Sequence, residues 1–356
     1  MTELRLGVWT PLPHVIPPEP GMAIAIAEVA ETGAHGPDLG LAFATEVVVT
    51  AERLGFDLTL IAQRYMGPDH EAWIMATALA CATQTMEIMV AVHPGLVSPQ
   101  IVAKMGATLD RISGGRFSMN VVNGWWAEEM NMFGGGAWLP SSADRYLRMS
   151  EFVEVVRKLW TENGPRFEGS FFSLQGRDLP MRTVQSPCPL IYAASRAVEG
   201  KSIVARHCDC WFVDYDPELS RYEQNLERII REIGEMRASA AGHGRLLSFG
   251  LSAHVICADS EEEAAEEAAA LLRYGARDRI ALIAAKALGA GLVGTAATVA
   301  ARLDAYVEAG VECVMLRWHP MLAGLERFGA EVMPLLKTPI RRPSRGSGPG
   351  VSARGR

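Results

Sequence analysis

Polar and aromatic side chains recur where apolar runs of the chain stop. Trp9 closes the run Leu4 to Trp9, Gln63 and Arg64 follow Phe56 to Ala62, His93 ends Glu87 to His93, and Asn120 and Asn123 stand at the end of Phe117 to Val122. Ser195 and Arg196 follow Leu190 to Ala194, Ser252 and His254 lie within Leu247 to Ala258, and Trp318 and His319 end the run from Glu312. As a set they describe a wide, aromatic-walled pocket with several hydrogen-bond donors and no acidic cluster. The histidines are dispersed, with neither HExxH nor paired-carboxylate spacing, so a metal site has no support. Two members point to chemistry more closely. Ser195 stands where a run passes directly into a helix start; it is either an ordinary serine cap or, with the exposed backbone N–H groups and the helix dipole, an anion site to which Arg196 adds a charge-assisted bond. Asn120 interrupts a buried run, which is costly unless the amide finds partners, and a planar polar heterocycle would supply them. No GxxxxGK[ST] loop is present and no GxGxxG opens the first turn, which removes support for nucleotide triphosphate hydrolysis and for a nicotinamide-binding Rossmann fold.

The runs that must position these residues number eight, counting Trp211 to Asp214. Most are continuously apolar, as strands buried on both faces require. Helical patterns alternate with them: Ala42 to Leu54, Trp73 to Ala82, Ile101 to Arg111, Tyr146 to Trp160, Val198 to His207, Pro217 to Ala238, Glu261 to Arg273 and Ala296 to Ala309, with a ninth, Gly324 to Leu336, closing the fold. Ser260 ahead of three glutamates marks one helix start, and Gly310 one helix stop. Eight βα units in order predict a parallel sheet closed into a (β/α)8 TIM barrel, with catalysis at the C-terminal ends of the strands. Such a barrel needs about 250 residues, so the 356-residue chain has room for insertions. They are read at 11–38, at 124–141, at 163–189 around a hairpin from Phe167 to Leu174, and at 273–294. Gly134 to Gly136 reads as a hinge and the 273–294 insertion as a lid. Residues 1–337 make the barrel, and 338–356, rich in Gly, Ser, Pro and Arg, read as a disordered basic tail.

The net charge of −7 gives no general attraction to nucleic acid or to anionic lipid. No apolar run reaches membrane-spanning length and the start MTELRLG is not a signal peptide. Six scattered cysteines argue against a disulfide framework and for a reducing cytoplasm.

The segment SGGRFSMNVVNGWW, residues 113–126, resembles the SGGR-x3-N-x-V-x-G signature of the bacterial-luciferase-like flavin monooxygenases, and most closely the branch holding dimethyl sulfone and alkanesulfonate monooxygenases. Gly55-Phe-Asp with Gln63-Arg64, Pro94-Gly95 with Pro99 to Lys104, Asp144-Arg-Tyr146 with Glu151, Phe167-Glu-Gly169, His254-Val-Ile, Leu292-Val-Gly294 and His319-Pro320 extend the similarity over residues 4–336. The resemblance implies a luciferase-like barrel that takes FMN as FMNH2 from a separate NAD(P)H-dependent reductase and uses O2 to oxygenate a small organic substrate. It implies that Gln63 and Arg64 line the flavin, that Asn120 faces the isoalloxazine edge, and that Glu129, Arg145 and Tyr146 contact the ribityl and phosphate portion. Ser195 would bind the phosphate. Asn120 and His254 would be the catalytic residues, His254 as a proton manager or otherwise a satisfied barrel histidine. Trp9, His93, Trp125, Trp318 and His319 would wall the substrate pocket, with Trp126 beside them as wall or lid. A homodimer or homotetramer is also implied, and Met321, Leu322 and Phe328 serve either that interface or the closure of the barrel bottom.

Departures from the branch affect the substrate. Ser252 stands where the sulfonate enzymes carry an arginine two residues before the histidine, which leaves Arg64, Arg196 or His93 as substitute cations. Asp69 stands where those enzymes carry a cysteine, and Ala91 where the pyrimidine-opening relatives carry a threonine. An organosulfur substrate with C–S cleavage fits best. Two rivals use the same barrel, an F420- or flavin-dependent reductase and a non-catalytic flavin-binding protein.

Overall fold

The computed structural model describes residues 3–11, 39–65, 69–124, 126–132, 137–218, 221–275 and 287–341. Eight strands form a closed barrel: β1 (Arg5–Trp9), β2 (Leu58–Ile61), β3 (Glu87–Val92), β4 (Phe117–Val121), β5 (Ile191–Ala194), β6 (Cys210–Phe212), β7 (Ser248–His254) and β8 (Cys313–Arg317). Every neighbouring pair is parallel and in chain order, and β8 closes onto β1 with Arg5 opposite Cys313 and Val8 opposite Leu316. Helices α1 (Leu39–Leu54), α2 (Ala72–Ala82), α3 (Pro99–Ser113), α4 (Ser142–Thr161), α5 (Val198–His207), α6 (Tyr222–Gly242), α7 (Glu261–Gly275) and α8 (Ala296–Glu308) return the chain from each strand to the next. The (β/α)8 barrel read from the alternation is thus the observed fold.

Local chemistry sets several boundaries. Gly114 ends α3 in the left-handed conformation (φ 69°), and the Gly115 N–H closes on the Asp110 carbonyl at 2.7 Å. Arg116 then turns back under α2, donating to the Ala80 carbonyl at 2.7 Å and the Met86 carbonyl at 2.6 Å. The buried Asp110 carboxylate takes the Gln185 N–H at 3.0 Å and its side-chain amide at 2.7 Å. Most of the SGGR motif therefore places β4 rather than performing chemistry. Glu151 plays a similar part, accepting the Ser170 and Phe171 N–H groups at 2.7 and 2.8 Å and so fixing the hairpin of Arg166–Glu168 and Ser173–Gln175 against α4. Ser260 caps α7 through the Glu263 N–H at 3.1 Å.

Three expectations change. The seventh run is not one strand: β7 leaves the barrel at Val255, and Ile256–Cys257 pair with Val293–Gly294 in a separate two-stranded sheet. The ninth helix is broken into a helix at Met321–Arg327, a π turn at Phe328–Val332 and a 3-10 turn at Met333–Leu335, since Pro334 has no N–H for a regular continuation. Residues 338–341, read as the start of the tail, are bonded into the barrel. Thr338 donates its N–H and hydroxyl to the Asp304 carboxylate at 3.1 and 2.9 Å, and residues 339–341 bond to Leu4 beside β1, with Leu4 N–H to Pro339 O at 2.9 Å and Arg341 N–H to Leu4 O at 2.9 Å. Residues 342–356, the insertion over 12–38, the Gly134–Gly136 hinge and the middle of the 273–294 insertion lie outside the described residues. No helix among the described residues is long and apolar enough to cross a membrane.

Candidate active site

Strand alternation decides which side chains face the barrel axis. Leu58, Leu60, Met89, Ala91, Tyr192, Cys210, Phe212, Cys313 and Met315 fill the lumen as one apolar cluster. At the N-terminal end this plug is sealed by Arg5, bonded to Asp57 at 2.9 Å, Glu87 at 2.8 Å and the Tyr192 hydroxyl at 2.7 Å. Continuing each inward face to the C-terminal end brings Trp9, Asn120, Ser252, His254 and Arg317 to the mouth. The intervening residues Val8, Val121, Leu251, Ala253, Leu316 and Trp318 belong to the outer core beneath the helices.

One rim of the mouth is built by α4 and α5. The Tyr146 hydroxyl and Ser195 Oγ lie 3.2 Å apart. Ser195 is not the cap of α5: the backbone stays extended to Ala197, which holds the cap position and has no side chain to cap with. The N–H groups of the first turn therefore have no capping oxygen and are open to an anion, although Glu199 sits on that same turn. Gly200 completes the cradle, because a Cβ there would stand 2.0 Å from Ser195 Oγ and 2.6 Å from the Tyr146 ring. Arg145 is not brought to this cradle. It donates to the Leu139 and Pro140 carbonyls at 2.5 and 3.0 Å and stacks on Trp138 at 4.2 Å. Arg148, one turn on, is buried beside it, donating to the Ala137 carbonyl at 2.7 Å and occupying the space that a Cβ on Gly95 would need. The two arginines anchor the 137–140 segment, and desolvation with Arg145 nearby lowers the Arg148 pKa.

A second polar group joins the ends of β2, β3 and β4. Glu129 is buried, accepts the Tyr65 N–H at 2.9 Å and lies 3.2 Å from Arg64 Nε, which in turn lies over the Trp126 ring at 5.3 Å. Gln63 Oε1 accepts the His93 N–H at 3.0 Å while its Nε2 is buried without a partner. Burial pushes the His93 imidazole down to about 4, so it is neutral at physiological pH. Asn120 Oδ1 is likewise buried and unpaired, the one inward amide of β4.

Across the lumen, Trp9 Nε1 donates to Ser252 Oγ at 3.0 Å, and the Arg317 guanidinium lies 4.4 Å over the Trp9 ring. Arg317 is in register with His254. His254 is fully buried, neither ring nitrogen has a partner, and burial followed by the Arg317 charge drives its pKa to about 3. A proton manager is best served by an imidazole that titrates near neutrality, whereas His254 is held neutral. His319 sits near enough to influence His254 electrostatically. Trp318 is not part of the pocket. It faces outward, packed between Phe56 and Phe328 at centroid distances of 6.0 and 5.5 Å. Met321 and Phe328 are buried in that same outer core rather than exposed for an interface. Trp125 lies outside the described residues. Of the substitute cations, Arg64 is paired with Glu129, and Arg196 is exposed and bonded to Asp214 at 2.7 Å. Sequence reading passed over Arg317 and Gly200. Counting the inward parity of β8 through Cys313 and Met315 would have reached Arg317.

The described residues form a closed parallel α/β barrel with a hydroxyl-lined cradle on one rim, unpaired amides at the mouth and a basic, aromatic far wall. A family model described as luciferase-like monooxygenase matches residues 22–313, and the chain belongs to that family, whose members are oxidoreductases. It is 28% identical over 320 residues to the FMNH(2)-dependent dimethylsulfone monooxygenase of Pseudomonas putida, covering 81% of this chain and 85% of that protein. Among solved structures it is similar in fold to a long-chain alkane monooxygenase (TM-score 0.75, 19% identity, 96% of this chain and 93% of that one). It is also similar to the EDTA monooxygenase of a Chelativorans species (TM-score 0.72, 19% identity, 98% and 95%). Among the described residues no group of His, Cys, Asp and Glu could hold a metal ion.

Proposed function

We propose that the chain is an FMNH2-dependent two-component monooxygenase. A separate NAD(P)H-dependent flavin reductase supplies reduced FMN, and the barrel uses it with O2 to oxygenate a small organosulfur compound, a sulfone or an alkanesulfonate, with C–S cleavage. The observation that carries this reading is the cradle at α5: uncapped N–H groups, two hydroxyls 3.2 Å apart and a glycine whose missing Cβ leaves the space. A phosphate arm fits there. Gln63 Nε2 and Asn120 Oδ1, buried and unpaired, offer one donor and one acceptor to the edge of a flavin ring. When bound, the flavin supplies the two electrons that activate O2.

The chain's own residues do the rest. Ser195, Tyr146 and the first turn of α5 anchor the phosphate. Asn120 and Gln63 orient the ring. Glu129, held by Arg64 and the Tyr65 N–H, stiffens the β2 rim on which Gln63 stands. The apolar plug and Trp9 keep water from the reacting end. His254, neutral and in the inner wall, holds the substrate by a hydrogen bond rather than by taking up its proton. The exposed Ile74 and Ile101 on the adjoining helices α2 and α3 fit a homodimer or homotetramer contact. The six unpaired cysteines fit a cytoplasmic protein.

Anaerobic titration with FMNH2, followed by ¹⁸O2 and a panel of sulfones and sulfonates, tests the reading. It requires FMNH2 binding and one labelled oxygen atom in the product. Substrate turnover without label would make the protein a reductase, and flavin binding without turnover a non-catalytic flavoprotein.

A further inference from the structure

We infer that Arg317 is the recognition point for an organic anion, so that the substrate carries a small oxyanion head group, sulfonate or carboxylate. This inference rests on the site proposed above and adds the charge of the molecule that enters it.

Arg317 is the last residue of β8, on the inward face shared with Cys313 and Met315. Its register partner on β7 is His254, and its other flank is the Trp9 ring. The other buried or part-buried arginines of the barrel have acidic or backbone partners: Arg5 has Asp57 and Glu87, Arg64 has Glu129, Arg157 and Arg245 share Asp209, and Arg116, Arg148 and Arg302 donate to backbone carbonyls. Among the described residues Arg317 has no carboxylate partner, and its Nε is sealed from solvent without a hydrogen bond. Burial brings the guanidinium down to about 10, which leaves it charged at neutral pH. An uncompensated charge in a barrel wall is costly, and a guanidinium fork lying on an indole presents its free N–H groups as a planar bidentate site for an oxyanion. His254 beside it is neutral, so it adds a hydrogen-bond donor without a competing negative charge. Among the described residues the acidic groups near the mouth lie with other arginines, Glu129 and Asp69 with Arg64 and Asp214 with Arg196. In the closed strand order β8 stands opposite β4, so an anion held by Arg317 points the rest of the molecule across the lumen toward Asn120.

The test uses flavin-free protein titrated with octanesulfonate, octanoate and the neutral methyl octyl sulfone, followed by Trp fluorescence and calorimetry. Wild-type protein should bind at least one anion about tenfold or more tightly than the sulfone, the preferred anion identifying the head group. Arg317→Met should lose about tenfold or more of that affinity while keeping the sulfone, and Arg317→Lys should recover part of it, having a charge but no fork. Because the substitution removes an uncompensated cation, the Arg317→Met protein should melt no lower than wild type, which separates lost recognition from lost folding. Sulfone bound as tightly as the anions, no anion bound, or anion affinity unchanged in Arg317→Met would each overturn the inference. Anion binding without ¹⁸O incorporation would instead sink the oxygenase reading and leave the role of Arg317 standing.

Discussion

Gly200→Ala isolates the phosphate cradle from the rest of the fold. The added methyl would stand 2.0 Å from Ser195 Oγ, 2.7 Å from Ser195 Cβ and 2.6 Å from the Tyr146 ring, so it occupies the place where these groups converge on the first turn of α5. Alanine is about 1 kcal/mol better than glycine in a helix. That gain offsets part of the roughly 1–3 kcal/mol that shifting the Ser195 backbone and the Tyr146 ring away from the new methyl costs, so the melting temperature should fall by only a few degrees. Binding should respond very differently. Displacing Ser195 and covering the free N–H groups removes at least one charge-assisted contact to a phosphate, worth about 1.5–3 kcal/mol, or roughly a ten- to hundredfold loss of FMNH2 affinity. Ser195→Ala keeps the open space and the backbone donors, so its loss should be the smaller of the two. Anaerobic titration of FMNH2 against each variant, with oxidised riboflavin as the arm lacking phosphate, reads both effects. The cradle reading fails if Gly200→Ala binds FMNH2 like wild type, or if riboflavin and FMNH2 weaken equally.

Three further outcomes follow from the geometry. Asn120→Leu replaces an amide whose Oδ1 has no protein partner, so it should leave stability unchanged or higher while sharply lowering the product formed per O2 consumed; normal coupling would remove Asn120 from the flavin. Arg5→Met leaves Glu87 without its cation and Asp57 with only the exposed Arg341 at 3.9 Å beneath the barrel plug, and should cost about 3 kcal/mol in urea unfolding, with no change in flavin affinity for the protein that remains folded. His93, His207 and His254 are held at about 4, 4 and 3 against an unfolded value near 6.5, so below pH 6.5 the unfolded chain takes up protons that the folded one refuses. Stability should therefore fall as pH drops from 6.5 to 5, by up to about 1.4 kcal/mol per pH unit from each histidine; a flat profile over that window would contradict their burial.

What could be read from the chain, and what could not, divides along a physical line. Buried parallel strands announce themselves as continuous apolar runs, so all eight strands and the order of the barrel were legible, as was the gathering of polar residues at the strand ends. Residues whose role depends on backbone hydrogen bonds were also recoverable in part: Asn120 stands out because an amide in a buried strand requires a partner. Positions that depend on the last few degrees of chain direction were not. Ser195 looks like a helix cap, yet two more extended residues intervene before α5, and only that extension frees the hydroxyl to meet Tyr146. Arg145 and Tyr146 are adjacent in sequence, so one α4 step sends them to different places, the tyrosine to Ser195 and the arginine to the 138–140 segment. Trp318 and Arg317 invert in the same way: the aromatic residue looked like pocket wall, but strand parity turns it into the outer core and puts the arginine in the lumen.

That inversion bears on how the site reads charge. Ser252, two residues before His254, offers no cation, and its hydroxyl is engaged as the acceptor for Trp9. Along β7 alone the mouth looks neutral. Across the ladder, however, the residue in register with His254 is Arg317, so the guanidinium stands beside the histidine from the neighbouring strand. A positive group beside an imidazole has two consequences that cannot be separated: it supplies attraction for an anion, and it helps hold His254 neutral. An anion bound at Arg317 would cancel part of that charge and raise the His254 pKa, making the imidazole a better proton acceptor only when the site is filled. The wall opposite Asn120 thus couples occupancy to proton affinity through one strand register.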